Sequence, residues 1–392
     1  MLDLLPAHFC TRWMVLLFWG GVISISASSS GQDTSSSDQK ALVVGQKTNE
    51  TGKSAENLIL ITVDGLRWQE VFGGADQRLM TKENGVRDVG GLRGKFWRET
   101  AEDRRERLLP FFWKTIAASG QIIGDPAKDS TANTTNGFDF SYPGYNEILT
   151  GRADPRVSSN SKTYNRNMTF LEWLNQRKNF QGRVAAFCSW DVFPFIINDK
   201  RSGIYVNAGW VPIEFGERGE VTALNRFAAE SPRVWPNVRM DVFTVDGAIA
   251  YLKSRKPKVL YVAVGETDDW AHDGRYDMYL ESAYRTDQYI QRIWKTLQSI
   301  PQYRDKTTML LTTDHGRGDG REGWKNHGVI YPGSDRIWVA AIGQGVAPLG
   351  NRAGQNVEQS QIAATAVGLL GYDYAPDRPS GKSIDLLQSK PE

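Results

Sequence analysis

Cysteine is almost absent from this chain: Cys10 and Cys188 are the only two among 392 residues. So few thiols exclude the disulfide framework of small secreted domains, and stability has to come from a buried core and from any ions the chain binds. An excess of one charge is missing too. Forty-seven Lys and Arg against 45 Asp and Glu leave a formal net charge of +2, which excludes a nucleic-acid coat and a strongly basic membrane-binding face. Long apolar runs are also lacking. Arg12 precedes "WMVLLFWGGVISISA", which ends among Ser24, Ser26 and Ala27 and falls short of the ~20 residues that span a bilayer. It has the length and the small-residue end of a secretory signal, so residues 1–27 are expected to be a cleaved signal peptide. The mature protein would then be periplasmic or secreted, with no stable membrane span, and Cys188 would be its only thiol.

What is present describes an ordinary soluble protein, with 40% apolar and 23% charged residues. Residues 28–55 form a Ser-rich polar stretch that cannot bury enough apolar surface to fold alone, and they are read as a linker. From 56 to 392 a single domain is expected. "NLILITVDG" is a continuous β-type run ending in Asp64 and Gly65, and similar runs recur at "RVAAFCSW", "KVLYVAVGE", "TTMLLTTD" and "RIWVAAIG". Helical patterns lie between them, at "LLPFFWKTIAAS", "MTFLEWLNQR", "VFTVDGAIAYLKSR", "MYLESAYRTDQYIQRIWKTLQSI" and "EQSQIAATAVGLL". Strands alternating with helices predict an α/β fold whose mainly parallel central sheet carries helices on both faces. Segments near 76–107 and 201–240, rich in charge, Gly, Trp and Pro, fit that alternation poorly and are read as insertions or lids.

Histidine is also scarce, and more informative. Of four, His8 falls in the expected leader, and each of the remaining three sits near a strand-end acid. Asp64 follows "LILITV", the cluster Glu266 to Asp269 follows "VLYVAVG", and Asp314 follows "TMLLTT". Asp268 and His272 have the i,i+4 spacing that places two ligands on one side of a helical turn, His315 adjoins Asp314, and His327 returns after a Gly-rich loop. Converging carboxylates repel unless a cation or proton compensates them. Carboxylate oxygen and imidazole nitrogen suit zinc and neighbouring divalent metals, and six ligands suffice for two open sites. The plain alternative has the acids capping helices and the histidines exposed on the surface.

"GFDFSYPGYNEILTG" offers a nucleophile. Ser141 would precede a helix starting near Pro143, at the positive end of its dipole, where an incoming anion is also favoured. N-capping is the simple alternative for such a Ser.

With these motifs together, the chain resembles the alkaline phosphatase superfamily, most closely its type I phosphodiesterase/nucleotide pyrophosphatase branch. The resemblance rests on Asp64-Gly65, Ser141-Tyr142-Pro143 through Thr150-Gly151, Asp268 to His272, Asp314-His315-Gly316 and His327-Gly328, in that order. It implies that Asp64, Asp314 and His315 hold one divalent ion beside the nucleophile Ser141, and that Asp268, His272 and His327 hold a second, zinc being the first choice for both. It further implies hydrolysis of small-molecule phosphate esters, diester or monoester, through a phosphoseryl intermediate. The branch places an Asn beyond the nucleophile on a phosphoryl oxygen, which points to Asn160, and Tyr142 takes the adjoining substrate-binding position. Two departures limit the transfer. "SYPGY" lacks the Phe-Pro-Asn-His of the branch, so nucleotide specificity does not carry over. Tyr145 stands where sulfatases that oxidise their nucleophile need Arg. A sulfate or phosphonate ester hydrolase of the same superfamily is the second reading, and a non-catalytic, metal-stabilised binding protein the third.

Overall fold

The computed structural model describes residues 54–386. The expected signal peptide and most of the Ser-rich stretch lie outside the described residues. Ten strands occur in chain order: β1 Asn57–Val63, β2 Gly120–Ile123, β3 Thr131–Asn133, β4 Val184–Cys188, β5 Tyr205–Ala208, β6 Val259–Val264, β7 Thr307–Thr312, β8 Val339–Gly343, β9 Gly350–Asn351 and β10 Asn356–Glu358. Eight of them form one sheet in the order β5-β4-β6-β1-β7-β8-β2-β9, while β10 and β3 pair separately. Only β8 runs against its neighbours, and the remaining pairings in the large sheet are parallel. The architecture is thus the mainly parallel α/β sheet that the alternation of strands and helices predicts.

Both faces of that sheet are covered, which is why its strands read as unbroken apolar runs. Ile59, Ile61 and Val63 of β1 enter one core cluster, with Leu260 and Val262 of β6 and Met309 and Leu311 of β7. The alternate residues Leu58, Leu60, Tyr261 and Leu310 enter the other. The long helix Tyr276–Ser299 and the helix Asp241–Arg255 cover the first face; Ser141–Thr150 and Ile362–Leu369 cover the second. Each fully buried Leu or Ile contributes roughly 1.5–3 kcal/mol.

Two segments differ from expectation. The segment 201–240 is not wholly an insertion, because it opens with β5, which pairs parallel to β4 at the sheet edge. Tyr205 and Val206 are only half-buried there, so no apolar run marked the strand. The segment 76–107 supplies no strand but two short helices, Val89–Phe96 and Ala101–Leu108, capped by Asp88 and Thr100. Leu92, Phe96 and Leu108 tie it to the first core cluster.

The helix that bears Ser141 begins earlier than Pro143 suggested. Ser141 is its first residue and Phe140 its N-cap, with no side-chain capping bond. Ser141 therefore does not cap the helix, and its hydroxyl is free to face inward. The helix also lies very close to the end of β7: a methyl group at Gly144 would come within 2.3 Å of the Asp314 carbonyl oxygen. Backbone cannot yield by that much without moving the helix, so Gly144→Ala should destabilise the fold by about 1–3 kcal/mol, as overpacking does. Chemical denaturation measures the loss, and an unchanged midpoint would show that the close approach is dispensable.

Candidate metal centre

Adjacent parallel strands deliver the acids to one end of the sheet. Asp64 directly follows β1, and its amide donates to the Val264 carbonyl at 3.0 Å. After β6, Gly265 leads into the helix Glu266–His272, which contains Asp268 and ends on His272. After β7, Thr313 leads to Asp314 and His315, both fully buried. Gly65, at φ +59°, makes the turn beyond Asp64, and a side chain there would run into Asp268 Oδ1 at 2.6 Å.

Two overlapping groups of ligand atoms result, Asp64 with Asp314 and His315, and Asp268 with His315 and His327. His315 Nε2 stands 3.4 Å from Asp64 Oδ1 and 3.4 Å from Asp314 Oδ2. Both of those carboxylate oxygens are buried without a hydrogen-bond partner. His315 Nδ1 lies 2.8 Å from the Gly316 carbonyl, which can only accept, so Nδ1 carries the hydrogen and Nε2 turns its lone pair inward. Three electron-rich atoms around one point, two of them orphaned carboxylate oxygens, are what a divalent cation requires.

His272 Nε2 lies 3.2 Å from Asp268 Oδ2 and 3.0 Å from His327 Nε2, and His327 Nε2 lies 3.8 Å from Asp268 Oδ1. His327 is oriented like His315, with Nδ1 at 3.2 Å from the Asp139 carbonyl. His272 differs: its Nδ1 faces the Arg317 guanidinium at 3.3 Å, a pure donor. Its Nε2 therefore bears the hydrogen in this arrangement, and ligation through Nε2 requires that proton to leave. The residues expected for two sites come together, with His315 standing between the groups.

The electrostatics agree with missing positive charge. Burial, reinforced by Asp268, holds the Asp64 carboxyl well above its usual range, and burial with Asp64 does the same to Asp314. Burial also pushes Asp268 up, but His272 and Arg317 outweigh it and keep Asp268 low. Burial, then His315, pushes His327 down. Asp269, next to Asp268 in the acidic cluster, joins neither group, and burial and Asp268 push it up to about 9.

Ser141 is buried, with Oγ 3.4 Å from His315 Nε2. Asn160 Oδ1 accepts from the Tyr142 amide at 2.9 Å, capping the nucleophile helix from eighteen residues away. The Tyr142 ring is buried in the second core cluster, and its hydroxyl donates to the Thr163 carbonyl at 2.6 Å. Tyr142 thus meets the site through its backbone rather than its phenol. Two contributors escaped the sequence reading. Tyr145 donates to Asp64 Oδ2 at 2.9 Å, and the fully buried Arg317 bonds Asp268. Their signal was spacing alone: Tyr145 is i+4 from Ser141, and Arg317 lies two residues past His315.

No protein-family model and no curated protein sequence matches the chain. Among solved structures, the lipoteichoic acid synthase LtaP from Listeria monocytogenes aligns with a TM-score of 0.55 at 11% identity, over 88% of this chain and 79% of that one. The phosphonate monoester hydrolase of Agrobacterium radiobacter gives 0.52 at 13% identity, over 86% and 78%. A protein solved with its substrate D-glucosamine-2-N,6-O-disulfate gives 0.52 at 12%, over 85% and 82%. At these identities the likeness shows a shared fold. These neighbours differ in what they act on, and the shared fold assigns the chain no substrate.

In the metal-free chain, the raised Asp64 and Asp314 groups bind protons more tightly folded than unfolded. Their stabilising share is complete below about pH 4 and disappears as pH rises through their folded values. Zinc needs the deprotonated ligands, so the rise in Tm on adding zinc should grow with pH. Asp314→Asn should abolish that rise while leaving the metal-free Tm at pH 8 equal or higher. Thermal melts with and without zinc decide it, and a lowered metal-free Tm would show that the repulsion is absent.

Proposed function

We propose that the protein is a two-metal hydrolase of phosphate esters that works through a phosphoseryl intermediate on Ser141. The reading is carried by one observation: a buried, uncapped Ser hydroxyl lies 3.4 Å from His315 Nε2, among carboxylate oxygens that lack partners. Asp64, Asp314 and His315 would hold one ion and Asp268, His272 and His327 the other, with zinc the best match to the mixed oxygen and nitrogen donors. When bound, such ions supply Lewis acidity and make a serine hydroxyl nucleophilic near neutral pH.

The chain's own residues account for the rest. Ser141 Oγ is the atom that would bond to phosphorus as the ester oxygen departs, and hydrolysis would then return the free hydroxyl. The amino end of the helix Ser141–Thr150 favours the anion. Of its first residues, Pro143 has no N–H and Tyr142 donates to Asn160, which leaves the Ser141 amide to meet a phosphoryl oxygen. Asn160 uses Oδ1 for the cap, so its side-chain N–H groups remain for the same anion. Arg317 offsets Asp268 without reaching for substrate, because its remaining donors meet His272 and the Trp324 carbonyl.

A sulfate or phosphonate ester hydrolase is the second reading, favoured by the phosphonate hydrolase and the sulfated-sugar complex among the structural neighbours. Against the oxidised-nucleophile version stands Tyr145, which is fully engaged with Asp64 where that chemistry needs Arg.

Aryl phosphate monoester, diester, phosphonate and sulfate substrates, assayed with zinc, separate these readings. The expected result is turnover of a phosphate ester that a chelator abolishes, with two equivalents of metal per chain. Ser141→Ala should lower kcat by at least about a thousandfold, the scale of a lost covalent step, and Asn160→Ala by about ten- to a hundredfold. Undiminished activity in Ser141→Ala excludes the nucleophile; a single inert metal and no turnover favour the binding-protein reading.

A further inference from the structure

One cavity among the described residues shares no lining residue with the metal centre. It measures about 630 Å³ and opens beside the turn that follows β1, with Trp68 and Trp97 among its walls. That volume is in the range of small-molecule sites. Both indoles are half-buried, line the cavity and pack against the first core cluster.

The charged lining is selective. Arg78, Arg104 and Arg336 face Asp76 and Asp319, which leaves one net positive charge. Arg78 is neutralised by Asp76 at 2.7 Å and Asp319 at 3.0 Å. Arg104 donates to the Gly73 carbonyl at 3.0 Å and the Glu99 carbonyl at 3.0 Å, and its guanidinium lies 4.6 Å from the Trp97 ring centre. Arg336 alone has no side-chain hydrogen bond or ion pair among the described residues; it is exposed and lies 5.9 Å from the Trp68 ring centre. The cavity therefore combines two aromatic faces, a set of carboxylate and amide groups able to meet hydroxyls, and a single uncommitted guanidinium.

We propose that this cavity binds a sugar ring carrying one anionic group, its C–H face on the indoles and its phosphate, sulfate or carboxylate on Arg336. An aliphatic ligand would leave Arg336 unpaired. An inorganic anion would use Arg336 and leave the indoles uncovered. A sugar with one anionic group engages both, since indoles cover apolar ring faces and guanidinium pairs with oxyanions. The assignment stands apart from the esterase reading, because none of these residues is an expected metal ligand or nucleophile.

The test is calorimetric titration of the full-length Ser141→Ala protein, with and without chelator, using glucose 6-phosphate, glucosamine 6-sulfate, glucose and inorganic phosphate. The two anionic sugars should bind at least about tenfold more tightly than glucose or inorganic phosphate, the margin of one charge-assisted contact. Chelation should leave that affinity unchanged. Arg336→Ala, at an exposed and unpaired side chain, should erase the margin over glucose, and Trp97→Ala should weaken all the sugars. Absence of binding, loss of binding on chelation, equal binding of inorganic phosphate, or indifference to Arg336→Ala would each overturn the proposal. Since binding is read without turnover, a failed ester assay leaves this result intact, and the reverse holds as well.

Discussion

Repulsion between carboxylates at one end of a parallel sheet is the constraint from which the site follows. The strands β6, β1 and β7 are neighbours, spaced about 4.8 Å apart as hydrogen-bonded strands are. Because they run the same way, the acids that follow them emerge at the same edge. Two like charges at 4 Å repel by about 4 kcal/mol at a surface-like dielectric, and by more when buried. Asp64, Asp268 and Asp314 carry three negative charges if ionised, and Arg317 returns one, a deficit of two. The protein bears this deficit in its least tolerant place, with Asp64 Oδ1 and Asp314 Oδ2 desolvated and unpartnered. A sequence selected for stability alone would replace one of these acids. Their retention together makes sense when a divalent cation completes the balance.

The same constraint explains the face presented by the nucleophile helix. Ser141 and Tyr145, one turn apart, point to the same cluster, the first toward His315 and the second toward Asp64. Gly144 lies between them on the side pressed against the Asp314 carbonyl. The absence of a side chain at 144 is therefore what permits the hydroxyls at 141 and 145 to reach their partners. Tyr142, Tyr145, Ile148 and Leu149 all enter the second core cluster, so packing fixes the rotation of the helix and hence the aim of Ser141.

How much of this was readable before any coordinates depended on whether the information was local. The five long strands were legible because burial on both faces leaves an unbroken apolar run. The edge strand β5 and the short β2 and β9 were not, because their pairing is set by neighbours rather than by their own residues. The metal ligands stood out through the scarcity of histidine and the strand-end position of the acids. The start of the nucleophile helix was misplaced because Pro143 suggested a first helical position, while Phe140 gives no capping signal and the real cap, Asn160, lies eighteen residues downstream. Arg317 was overlooked for a similar reason. In a loop rich in Gly and charge it looks solvated, and only the fold encloses it between Asp268, His272 and the Trp324 carbonyl.

The loops that form the metal centre also form the aromatic cavity, and this divides labour along the chain. Trp68 follows Asp64 by four residues, Asp319 follows Asp314 by five, and Arg336 follows His327 by nine. What those loops lack for a closed pocket, Trp97 and Arg104, comes from the segment 76–107, which adds no strand to the sheet. Strand ends fix the ligand set because moving them would disturb the sheet. The inserted helices are joined to the core by a few apolar residues, so their cavity-facing side chains can vary without altering the acids. In such an arrangement the sheet fixes the cluster of acids, and the insertion shapes the cavity beside it.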